Sequence, residues 1–166
     1  EAQISDLNAA AQTYLTQKEW EKAAACYEQI AALAQEGGNP AAEAEALNNL
    51  SSVYLATQEW AQAQTYAQAA YERYRGLEDP NAEAVALNNL AASCDGLGDW
   101  QTAMEHYREA LRLREALHDA EGQAKTLRNL AVLYARHGNR NRARVYLNRA
   151  MAQARKAKSR PLRAAI

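Results

Sequence analysis

The chain has 166 residues, of which 39 are Ala against 4 Val, 3 Ile, 6 Thr and no Phe. Ala is the best helix former and strands favour β-branched residues, so this composition argues against a sheet protein. The 7 Gly and 3 Pro are too few for a disordered or collagen-like chain, and no apolar run approaches the ~18 residues that a membrane span requires.

Charge is unevenly spread. Residues 1–120 carry 19 acidic and 7 basic side chains, whereas residues 121–166 carry 1 acidic and 12 basic, which sums to the net charge of −1. The hydrophobic fraction of 48% is enough for a chain of this length to bury roughly 70% of its unfolded surface. No signal-peptide pattern opens the sequence. It starts at Glu1 rather than Met, which predicts a fragment of a longer protein.

Self-similarity organises everything else. Ala46-Leu47-Asn48-Asn49-Leu50 returns as Ala86-Leu87-Asn88-Asn89-Leu90 and again as Thr126-Leu127-Arg128-Asn129-Leu130, forty residues apart each time. Trp20, Trp60 and Trp100 keep the period, with Arg140 in the fourth place. Tyr14, Tyr54, Cys94 and Tyr134 keep it too, as do Ala23, Ala63, Ala103 and Ala143. Four copies of one unit follow, over about 1–38, 39–78, 79–118 and 119–158, forming one array with a basic tail at 159–166.

Each unit reads as two helices. Leu47, Leu50, Ser51 and Tyr54 fall at i, i+3, i+4 and i+7, one face of a helix, and Trp60, Ala63, Ala67, Ala70 and Tyr74 do the same for its partner. In chain order the pattern predicts helices at 4–16, 20–36, 40–56, 60–76, 80–96, 100–117, 120–136 and 140–157. Short polar turns such as Gln58-Glu59 separate helices within a unit. Stronger breakers such as Gly37-Gly38-Asn39-Pro40 and Asp79-Pro80 separate units, the latter a capping side chain followed by a ring preset for a first helical turn.

Leu50, Ser51, Tyr54, a turn, Trp60, Ala63, Ala67 and Ala70 resemble the tetratricopeptide repeat. The usual period of that repeat is 34 rather than 40, so the extra residues are expected in longer second helices and inter-unit turns. The long variety is similar to repeats of kinesin light chains, of Pins-type adaptors and of bacterial regulatory proteins. The resemblance covers about residues 3–157 and implies a right-handed α-solenoid of eight helices, with first helices lining a concave groove and no catalysis. Leu7, Leu47, Leu87 and Leu127 depart from the Trp expected early in each first helix. The resemblance also implies a polar capping helix after the last unit. Residues 158–166 are too short for one, so either the array continues or another chain covers its end.

Groove-facing positions then include Asn8 and Gln12 in the first unit, Asn48, Asn49 and Ser52 in the second, Asn88 and Asn89 in the third, and Lys125, Arg128, Asn129 and Arg136 in the fourth. Asn is a poor helix-interior residue because its side chain competes for backbone hydrogen bonds, so its recurrence calls for a reason. An amide both donates and accepts, which suits either a bound peptide's main chain or bracing between helices. Lys125, Arg128 and Arg136 share one face of their helix, and guanidinium groups match carboxylates. The expected partner is therefore a protein or peptide segment, acidic in character. The match to a two-carboxylate clamp is partial, because the first unit lacks the Lys and Asn of such clamps.

Two other readings stay open. An acidic body and a basic, uncapped end favour head-to-tail self-association into a homo-oligomer. The basic fourth unit could instead meet nucleic acid, although Tyr146 is its sole interleaved aromatic in the second helix and the rest of the chain is acidic. Enzyme motifs are absent, and no cofactor, metal or membrane partner is expected. His106, His118 and His137 are scattered over different elements and are expected to be ordinary surface or boundary residues. Cys26 and Cys94 form no ligand pattern and are expected as free thiols, which fits a reducing, cytoplasmic setting.

Overall fold

The computed structural model describes residues 2–163 and consists there of eight helices. They are α1 (Ala2–Gln17), α2 (Trp20–Glu36), α3 (Pro40–Ala56), α4 (Trp60–Gly76), α5 (Pro80–Gly96), α6 (Trp100–Ala116), α7 (Ala120–Arg136) and α8 (Arg140–Arg163). Consecutive helices pair as α1/α2, α3/α4, α5/α6 and α7/α8, four helix-turn-helix units stacked as a right-handed α-solenoid.

What ends the helices is the same everywhere. Residues 18, 38, 58, 78, 98, 118 and 138 all have positive φ, one every twenty residues. After each, an amide returns to the carbonyl five residues back, as in Glu59 to Tyr54 (2.9 Å) and Asp99 to Cys94 (2.9 Å). This left-handed cap satisfies carbonyls that a helix end leaves orphaned. Five helices then restart on side-chain caps from Asn39, Asp79, Asp99, Asp119 and Asn139. Helices α2 to α7 are each 17 residues long. The extra length over a 34-residue repeat is thus shared equally between first and second helices, and not concentrated in second helices and inter-unit turns as the sequence predicts. The reason is that turns within and between units use the same cap.

Helix α8 also runs past its expected end at 157 to Arg163, across Pro161, with no glycine or left-handed residue in that stretch. Of the basic tail expected at 159–166, the backbone to 163 is therefore helical, and residues 164–166 lie outside the described residues.

Packing follows the repeat. Ala23, Ala63 and Ala103 are fully buried, and their small side chains let paired helices approach closely. Leu50, Leu90 and Leu130 are buried on the first helices. The Trp60 indole lies against Gly96 of the next unit, where any Cβ would collide with it, and Trp100 stacks on His137 (5.2 Å between centroids). Trp60 and Trp100 thus fill the seams to their neighbours. Cys26 and Cys94 are free and buried, and burial pushes the Cys94 thiol up from its ordinary pKa. First helices α3 and α5 pack directly on each other, whereas second helices make no comparable contact among the described residues. The first helices therefore form the inner, concave layer. No helix among the described residues is long and apolar enough to cross a membrane.

Two outcomes follow from the caps and the close crossings. Gln58→Gly and Glu78→Gly relieve a side chain held at φ 64° and 54°, so each is expected to stabilise the fold by about 0.5–1 kcal/mol in urea unfolding. Ala63→Leu overpacks a closed crossing and is expected to cost about 1–3 kcal/mol, while the same change at exposed Ala61 leaves stability nearly unaltered.

Candidate functional site

The recurrent asparagines lie on the inner layer, and three of them hold it together. Asn89 donates from Nδ2 to Asn48 Oδ1 (3.0 Å) and to Ser52 Oγ (3.1 Å), joining α5 to α3. Asn88 donates from Nδ2 to Thr126 Oγ1 (3.0 Å) and to the Ala84 carbonyl (3.0 Å), joining α5 to α7. A side-chain amide tolerates this position because its donors have partners across the unit boundary, where an aliphatic residue would leave the Thr126 hydroxyl without one. The Asn88 Oδ1 acceptor, by contrast, is buried without a partner. Gln12 donates to the Tyr27 hydroxyl (3.2 Å) within the first unit. Asn8, Asn49 and Asn129 are half-buried and make no side-chain hydrogen bond among the described residues.

Between α5 and α7 the groove deepens into a cavity of about 490 Å³, lined by Val85, Asn88, Asn89, Arg114, Lys125, Arg128 and Asn129 among others. Its exposed rim carries two cations, Lys125 and Arg128, and one carboxylate, Glu121. Lys125 pairs with Glu121 (2.8 Å), but both side chains are well exposed, so water competes effectively for the contact. Arg128 is exposed and has no ion-pair partner among the described residues.

The wall of the cavity holds a residue that the sequence reading does not single out. Arg114, on α6, is only 8% exposed. Its Nη1 donates to Asp119 Oδ2 (2.5 Å), its carbonyl accepts from Gln123 Nε2 (3.0 Å), and its Nε has no partner. Gly122 makes the room, since a Cβ there would run into the guanidinium. Asp119 in turn caps α7 by accepting from the Gly122 amide (2.9 Å). Burial would raise the Asp119 carboxyl, but the Gly122 amide, Arg114 and Lys125 outweigh it and hold its pKa below the ordinary value. The signal for this group was available in the period: Arg114 stands where Ala34 and Tyr74 stand, and Gly122 where Ala42 and Ala82 stand.

Arg136 belongs elsewhere. Although it shares a helical face with Lys125 and Arg128, it sits at the far end of α7 and its Nη1 donates to Asp95 Oδ2 (2.5 Å). The other Asp95 oxygen meets His137 Nε2 at 3.1 Å, so Asp95 clasps the fourth unit to the third. Lys125 and Arg128 reach the cavity; Arg136 is an inter-unit tie.

The tetratricopeptide repeat profile matches residues 42–116 and 82–156, and a second profile of the same description matches residues 7–41. No functionally curated protein matches the sequence. Among solved structures, BtubC (BKLC) from P. vanneervenii is similar at 23% identity and a TM-score of 0.80, over 93% of this chain and 64% of that one. A Rap protein complexed with competence and sporulation factor is similar at 18% identity and a TM-score of 0.81, over 91% of this chain and 42% of that one. A putative kinesin light chain from Podosopora anserina with TPR-like repeats is similar at 16% identity and a TM-score of 0.75, over 92% and 75%. The chain therefore spans less than two thirds of the length of the first two.

Asp119→Ala removes both a helix cap and the counter-ion of a buried guanidinium, and is expected to destabilise the fold by about 2–4 kcal/mol. Because the carboxyl is held below its ordinary pKa, its contribution is fully present above that value, about 4, and is lost as pH falls through the lower folded-state value. The stability difference between wild type and Asp119→Ala in urea titrations should accordingly be flat at neutral pH and shrink in acid.

Proposed function

The chain belongs to the tetratricopeptide repeat family, and on that premise we propose that it is a protein-interaction module whose concave groove binds an acidic segment of a partner protein, without catalysis. The observation that carries this reading is the cavity between α5 and α7, where Lys125 and Arg128 stand beside the amides of Asn88, Asn89 and Asn129. Two cations at the mouth favour a carboxylate. The amides of Asn49 and Asn129, half-buried and without a side-chain hydrogen bond among the described residues, suit the N–H and C=O groups of a main chain lying across the first helices. Asn8, Gln12, Asn48, Asn49 and Ser52 extend the polar floor toward the first unit, so the ligand runs along the groove in extended or partly helical form. Arg136 contributes indirectly, by holding the fourth unit in register through Asp95. A Rap protein of similar fold complexed with competence and sporulation factor supports ligand binding by an array of this shape.

Buried Arg114 adds a fixed positive charge behind the cavity wall, partly neutralised by Asp119. The groove's field is thus strongest at the fourth unit, while the acidic first three units repel a polyanion such as nucleic acid elsewhere along the chain.

Affinity capture from extract of the native cell, followed by mapping of the retained segment, identifies the ligand. Lys125→Glu with Arg128→Glu is expected to weaken that complex at least tenfold, about 1.4 kcal/mol, in calorimetric titration, and the wild-type affinity should fall with added salt. Both side chains are exposed, so helix content by far-ultraviolet dichroism should not change. An unaltered affinity in the double variant overturns the groove reading.

A further inference from the structure

One position of the inner layer changes chemistry from unit to unit. Glu45 on α3, Val85 on α5 and Lys125 on α7 stand forty residues apart, at the same place in their helices, and all three are exposed. Val85 and Lys125 line the cavity between α5 and α7, with Arg114 in its wall. At the preceding boundary Tyr74 stands on α4 where Arg114 stands on α6. Burial, and then the Glu45 charge, push the Tyr74 hydroxyl up to about 12, so Glu45 meets that boundary as Val85 meets the next. The fold consumes neither side chain. Glu45 makes no ion pair among the described residues. Val85 joins none of the apolar clusters of the core, although a β-branched residue loses rotamer freedom in a helix.

We propose that this row sets the register of the bound segment: a basic residue opposite Glu45, an aliphatic residue opposite Val85 and an acidic residue opposite Lys125 and Arg128, each three residues from the next. The inference rests on the groove reading and adds the order and spacing of the side chains that the groove selects. Opposite charges fix the two ends of the row. Val85 offers no hydrogen-bonding group, so a polar side chain pressed on it loses water without gaining a partner, whereas an aliphatic one does not. The spacing follows from the helices. α3 packs on α5, and the Asn88 bond to Thr126 joins α5 to α7; packed helices lie ~8–10 Å apart. A polyproline-II chain turns once in three residues and rises ~3.1 Å per residue, so it returns a side chain to one face every ~9 Å. A pleated strand does so every ~7 Å and an α-helix every ~5 Å, and both drift out of step with the row.

The probes are two short synthetic peptides, Lys-x-x-Leu-x-x-Asp and its reverse Asp-x-x-Leu-x-x-Lys, with Ser, Gln and Pro at x. One of the two is expected to bind the 166-residue protein saturably in fluorescence anisotropy. Exposed ion pairs contribute modestly, so Glu45→Lys should weaken that peptide about threefold or more. The same peptide with Glu in place of its Lys should recover the loss on Glu45→Lys and not on the wild type. Val85→Ser should weaken the Leu peptide to a similar degree and leave a peptide with Ser in place of Leu unchanged. Both positions are exposed, so helix content by far-ultraviolet dichroism should hold. Failure of both peptides to bind the wild type overturns the proposal, as does equal binding when the three residues are spaced by two, or Glu45→Lys without recovery by the charge-swapped peptide. A peptide carrying Asp but neither Lys nor Leu separates this register from the groove reading. If it loses affinity in the Lys125→Glu, Arg128→Glu double variant while Glu45→Lys and Val85→Ser affect no peptide, the register is overturned and the groove stands. If no peptide responds to any of the four substitutions, both are overturned.

Discussion

A single helical hairpin with this much alanine cannot bury its apolar face by itself, and the stability of the chain rests on the contact between one unit's second helix and the next unit's first helix. Tyr27 and Ile30 need α3; Tyr107 and Leu111 need α7. In such a one-dimensional stack each unit is stabilised mainly by its neighbours. The same constraint shapes the inner surface: where first helices line up there, their polar edges make a groove.

The inner layer shows how polar residues survive at such a boundary. Asn88 and Asn89 sit mid-helix, where Asn is unfavourable, and recover the loss through hydrogen bonds to Thr126, Asn48 and Ser52 on adjacent units. Arg114 is handled differently. Its charge is retained in the interior because Asp119 lies against it and Gly122 clears space. Such a pair contributes little net stability relative to a well-packed apolar pair, yet it is costly to break. It also keeps positive charge behind a cavity whose mouth is already cationic. The asparagines divide on this surface: Asn88 and Asn89 brace the stack, while Asn49 and Asn129 make no side-chain hydrogen bond among the described residues.

The sequence alone determined the period, the helix-turn-helix unit, nearly every helix boundary and which faces are apolar, because those properties are local and repeat at forty-residue intervals. It also placed Asn48, Asn88 and Asn89 on one helical face. Only the tertiary structure decided which polar groups meet. Arg136 and Lys125 share a face by helical arithmetic, but eleven residues of α7 separate them, and Asp95 from the preceding unit claims the former. Arg114 reads as one more surface arginine in a charged helix until α7 closes over it, since burial is set by the neighbouring unit and not by the helix that carries the residue. The left-handed backbone at the caps was equally hidden, because the residue types of Lys18, Gln58, Glu78 and His118 do not announce it. Local propensity sets what each segment becomes; partner choice across a boundary depends on distances that only the assembled stack defines.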